Sequence, residues 1–151
     1  MKLAELLIER AECQRRIAQI SSRLNDYATV QEGDEPPVKP EVMLNTLDEL
    51  HAELEEFIRK INHANAATTF DDGLSLADAI VKRDILKSRR NIYDNLSKAA
   101  QNKDDRYSRK EIRYVTTINV EKAIRVTDDL SKAIRIIDSK IQAKNWEVEV
   151  S

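Results

Sequence analysis

The chain has 151 residues and a formal net charge of −2, with 34% charged and 5% aromatic residues, two glycines, three prolines and one cysteine. That length supports one domain with a real core, and so little glycine argues against sandwiches, barrels and nucleotide-binding α/β folds, which spend glycine at turns. One cysteine rules out an internal disulfide framework, so nothing demands an oxidising compartment. No apolar run approaches the ~18 residues of a membrane-spanning helix, and MKLAELLIERAECQRR turns charged too early for a signal peptide. A cytoplasmic protein without a membrane span is expected.

The charge is unevenly spread. Residues 1–75 carry 8 Lys/Arg and 15 Asp/Glu, a net of −7, and residues 76–151 carry 17 and 12, a net of +5. Two such halves can neutralise each other within one chain or between chains, although a surface ion pair adds only ~0–1 kcal/mol.

Periodicity predicts four helices. The first spans 2–27, with Leu3, Leu6, Cys13, Ile17, Ile20 and Leu24 on one seam that Arg10 interrupts. The connection 28–39 contains VQEGDEPPVKP, an exposed acidic loop. The second helix spans 41–62, opened by Pro40 and built on Leu47, Leu50, Leu54, Phe57 and Ile61. The connection NAATTFDDGLSLADAIVKRD follows, and it breaks the pattern with small polar residues and one glycine. Asp72-Gly73 has the sequence of a type I′ turn, and Ser75 to Asp78 has the form of a capping box. The third helix spans 76–101 with two adjacent stripes: Ala79, Leu86, Tyr93 and Ala100, and beside them Ile85, Ile92 and Ala99. This arc is wider than one neighbouring pair of helices needs, so the helix is either central or faces a second subunit. Before the fourth helix, Ile112, Tyr114, Thr116 and Ile118 alternate with Arg113, Val115 and Thr117, the period of a strand that could pair with 28–31 or with another chain. The fourth helix spans 120–144 on Ala123, Leu130, Ile134, Ile137 and Ile141, with Asn119 as its N-cap.

The expected fold is therefore a mainly all-α, elongated antiparallel four-helix bundle, one domain over 1–151, with coiled-coil-like packing and a small β element in the loop before the last helix. Helices of ~25 residues would be ~38 Å long.

Candidate sites are few. Asn62, Asn65, Asp71, Asp72, Asp78, Arg83 and Asp84 form a candidate polar corner or ligand site, with a structural reversal as the plainer reading. The apolar context Ala-Asp-Ala-Ile-Val suggests that Asp78 is buried and paired with Arg83, with Asn62 and Asn65 supplying hydrogen bonds. Arg83, Lys87 and Arg90 share one face of the third helix. With Arg106, Arg109 and Arg113 they make a conceivable phosphate-binding surface, set against a solvated face. His51 and His63 lie twelve residues apart, about 120° around a helix, and the chain has no HxxxH, ExxH or CxxC spacing, so no metal site is expected. Magnesium or calcium at Asp71 and Asp72 is only weakly signalled. No nucleophile–base order, Walker loop or GxGxxG occurs, and neither an enzyme nor a cofactor is expected.

The stretches MKLAE, VQEGDEP, NAATTFDDGLSLADAIVKRD, DRYSRKEIRYVTTINV and Asn145-Trp146 give the chain a resemblance to a small family of bacterial helical proteins, often labelled septicolysin-like. The resemblance implies an oligomeric α-helical bundle without an assigned activity. A thiol-activated cytolysin would be the label's literal meaning, but Cys13 sits on a core seam and the single Trp146 is near the tail. The expected role is thus a self-assembling structural or interaction protein, a dimer or higher. The alternative is nucleic-acid binding through the third helix, and a cytolysin is a distant third.

Overall fold

The computed structural model describes residues 1–101 and 113–151. Its elements are α1 (Leu3–Asp26), α2 (Pro40–Ala67), β1 (Thr69–Asp71), β2 (Leu74–Ser75), α3 (Leu76–Gln101) and α4 (Val120–Glu147). The protein is mainly all-α, as the periodicity predicts. The described chain divides into two compact units, Met1–Thr68 with Lys144–Ser151, and Thr69–Ala143.

In the first unit α1 packs along α2. The buried side chains Leu3, Leu6 and Cys13 come from α1, and Met43, Leu47, Leu50 and Ile61 come from α2. Proline at the first position of α2 loses no needed hydrogen bond and fixes φ for the helix start. The thiol of Cys13 donates to the Leu50 carbonyl at 3.3 Å. Burial, and then the negative charge of Glu53, push this thiol's pKa up, with Arg16 opposing them. The α2 helix runs five residues beyond the expected Asn62, because alanine-rich NHANAA continues the helix and Ala64 is buried on its inner side.

The C-terminal tail closes this unit. An antiparallel bridge pairs Lys2 with Glu149, and backbone bonds run from Leu3 N–H to Val148 carbonyl (2.9 Å) and from Val150 N–H to Met1 carbonyl (2.8 Å). The Lys2 ammonium reaches Glu149 at 2.8 Å. Lys2, and then the N-terminal amine, hold the Glu149 carboxyl below its usual range.

In the second unit a short hairpin leads into α3. β1 and β2 pair antiparallel, Thr69 with Ser75 and Asp71 with Leu74, with an irregularity between Thr69 and Asp71. Gly73 adopts φ +73°, and no described non-glycine residue has positive φ. A type I′ turn needs positive φ at both central residues, so the reversal is not of that type. Asp72 keeps a negative φ. Leu76 and Ala79 at the start of α3 are fully buried, and Ala123, Leu130, Ile134, Ile137 and Ile141 form the buried stripe of α4. The N-caps follow the sequence closely. Asn119 Oδ1 accepts from Lys122 N–H at 3.0 Å. Ser75 and Asp78 exchange bonds of 3.1 and 3.2 Å, the reciprocal pattern of a capping box.

The β element lies elsewhere than expected. Residues 113–119 contain no strand, and among the described residues the strands precede α3 instead of α4. Alternating β-branched residues fit a strand only when a neighbouring edge pairs with it, and 28–31 is not in strand form either. Ile112, Arg106 and Arg109 lie outside the described residues.

Candidate functional site

The polar corner resolves into separate pieces. Asn62 is exposed and Asn65 half-buried in the last turns of α2, and neither makes a side-chain hydrogen bond among the described residues. Asp71 and Asp72 are exposed at the hairpin tip, where Asp71 Oδ1 accepts from Asp72 N–H at 3.2 Å. No three side chains able to hold a metal ion gather among the described residues.

Asp78 is exposed and spends its carboxylate on the Ser75 amide. The expected buried pair with Arg83 does not form. Five residues turn a helix by 140°, which sends the two side chains to different faces. Arg83 turns to α4, donating to Asp138 at 2.9 Å and to Asp84 at 3.2 Å, with 19% of its side chain exposed. Asp138 was not legible as its partner because it lies 55 residues on; the only clue is its place beside Ile137 on the edge of the α4 apolar stripe.

The orientation of α3 decides what the helix offers. Leu76, Ala79 and Ser97 mark its buried side, and Leu86, Tyr93 and Ala100 are half-buried beside them. Arg83, Lys87 and Arg90 fall on the flank of that same side and are all half-buried. Arg90 bonds the side-chain oxygen of Asn91 at 3.2 Å. Arg113, before α4, is exposed. The outward side of α3 is apolar. Val81 is 61% exposed, Ile85 57%, Ile92 64% and Leu96 42%. Ile85 and Ile92 belong to the second stripe of the sequence pattern; Val81 and Leu96 extend it by one helical turn at each end. No described helix is long and apolar enough to cross a membrane.

A family model described as "Family of unknown function (DUF6847)" matches residues 10–150. Among solved structures, the chain is similar to a functionally unknown conserved protein from Corynebacterium diphtheriae. The two share 40% identity with a TM-score of 0.92, over 100% of this chain and 99% of that one. A comparison with curated proteins finds no match. Neither similarity carries the septicolysin-like label or a cytolytic activity.

Proposed function

The chain belongs to that family of unknown function, and we propose that it works as a self-assembling interaction protein whose α3 meets the α3 of a second copy. The observation that supports this is the outward stripe of Val81, Ile85, Ile92 and Leu96. Four large aliphatic side chains in one row are costly to leave in water, since burying each is worth ~1.5–3 kcal/mol. A contiguous apolar patch on a helix marks a docking surface more often than chance exposure.

The spacing favours a symmetric contact. The intervals 81–85, 85–92 and 92–96 are four, seven and four residues, the same read in either direction. Two copies of α3 packed in opposite directions therefore set Ile85 against Ile92 and Val81 against Leu96, with the small Ser88 near the crossing. That is the self-complementarity an isologous dimer requires.

A phosphate-binding surface on α3 has less support. Arg83 is committed to two carboxylates, and Lys87 and Arg90 are half-buried with it. Sedimentation velocity over a micromolar concentration series tests the assembly reading, with a dimer or larger species as the expected result. Titration with DNA or RNA at two salt concentrations tests the other. Tight binding with a steep salt slope by a protein that sediments as a monomer would overturn the assembly reading in favour of the nucleic-acid one.

A further inference from the structure

The outward face of α2, in the first unit, changes sign along its length. Glu49, Glu53 and Glu56 are exposed along its middle, and Arg59, Lys60 and His63 are exposed one to two turns later. Two open grooves follow this face and share Glu56. One, of about 460 Å³, runs between the acidic part and Arg16 of α1. The other, of about 820 Å³, runs between the basic part and the tail from Val148 to Ser151. Within the face Lys60 pairs with Glu56 at 3.0 Å. Glu49, Glu53, Arg59 and His63 make no ion pair among the described residues.

We propose that this face is a second contact between copies of the chain, in which two α2 helices lie antiparallel with the acidic part of each in register with the basic part of the other. The sequence arithmetic fits. A two-fold axis at Glu56 sets residue i against residue 112 − i of the second copy, which brings Glu49 opposite His63 and Glu53 opposite Arg59, and sets Glu56 against its own copy, where each carboxylate keeps Lys60 as its counter-charge at 3.0 Å. It also sets Ala52 opposite Lys60, and a small side chain there leaves room for a long one. In a parallel arrangement Glu49 and Glu53 would also face acids, so charge fixes the direction. An independent protein partner would need the same alternation of sign in reverse, and a second copy supplies it without further assumption. This contact uses a different helix from the α3 contact, so the two together would build a closed tetramer or an open chain of copies, depending on the angle between their axes.

Carbodiimide coupling of an equal mixture of ¹⁴N- and ¹⁵N-labelled wild-type protein tests the contact, because this reagent joins a carboxylate to an amine only when they touch. Within one α2 helix Glu49 and Glu53 are eleven and seven residues from Lys60, about 16 and 10 Å along the axis, too far to couple directly. The expected result is mixed-isotope peptides linking Glu49 or Glu53 to Lys60. Their yield should fall several-fold when salt is raised from ~0.05 to ~0.5 M, because exposed charges are screened. Glu49→Lys/Glu53→Lys and Arg59→Glu/His63→Glu variants should each lose the mixed links, and mixing the two variants should restore association between them. If the wild-type protein is oligomeric by mass but gives no such links, this contact is wrong and the α3 contact stands by itself. If links form in an Ile92→Asp variant that is still dimeric, this contact stands independently of α3. A monomer under all conditions overturns both.

Discussion

Arg83 shows how a single charge is settled on the inner flank of a helix. With 19% of its side chain exposed, an unpaired guanidinium would lose much of its hydration, and the Asp138 carboxylate at 2.9 Å replaces it. Because Asp138 is 40% exposed, solvent screens the pair and its worth lies well below that of a fully buried one. Arg83→Ala should lower stability by ~1–2 kcal/mol in chemical denaturation. Asp138→Asn should cost less when Arg83 is already absent, a coupling that a double-mutant cycle reads directly. Cys13 makes the opposite case, a polarisable group treated as a small apolar one. At 4% exposure, with its thiol bonded to Leu50, it should resist thiol reagents in the folded state and react fully after unfolding. Burial raises its folded-state pKa, so its contribution to stability is complete below the unfolded thiol pKa near 8.5 and is lost as pH rises through the folded value. A Cys13→Ala variant should show a weaker loss of stability above that pH; an unchanged alkaline slope in thermal melts would contradict this.

At the scale of elements, local chemistry was legible and long-range pairing was not. The starts of α3 and α4 could be read because Ser75, Asp78 and Asn119 satisfy free amides within three residues of themselves. Each cap should be worth ~0.5–2 kcal/mol, so Ser75→Ala and Asn119→Ala should each lower the denaturation midpoint without changing the helical content of the folded state. The alternating segment 113–118 misled for the complementary reason. A strand is defined by its neighbour, and one sequence segment does not reveal whether an edge is near it. The hairpin before α3 escaped notice as a sheet because two strands of three and two residues are too short to show a period. The α4 seam is buried throughout and the α1 and α2 seams are buried or half-buried along their length, since a stripe with one apolar side has one way to face a core. The two stripes of α3 left a choice, and only the structure shows which one turns outward.

For the whole molecule, the helical class and the charge asymmetry could be read from the sequence, but it placed the basic row and the second apolar stripe of α3 without saying which would meet solvent. The structure reverses the simplest guess. Arg83, Lys87 and Arg90 are half-buried, while Val81, Ile85, Ile92 and Leu96 are exposed. That inversion is what makes assembly the better reading, because Arg83, drawn inward, finds two carboxylates, whereas the aliphatic groups turned outward meet water. Replacing two of the four with aspartate should remove the contact and leave the fold, since neither Ile85 nor Ile92 contributes to the core. The most direct test is the light-scattering mass of the wild-type chain and of an Ile85→Asp/Ile92→Asp variant at the same micromolar concentration and at ~0.5 M salt, where charged contacts are screened, with helical content followed by circular dichroism. The account predicts at least twice the 17.4 kDa chain mass for the wild type, and the mass of one chain for a variant that keeps its helical signal. A wild-type mass of 17.4 kDa, or a helical variant that stays at the wild-type mass, would contradict it.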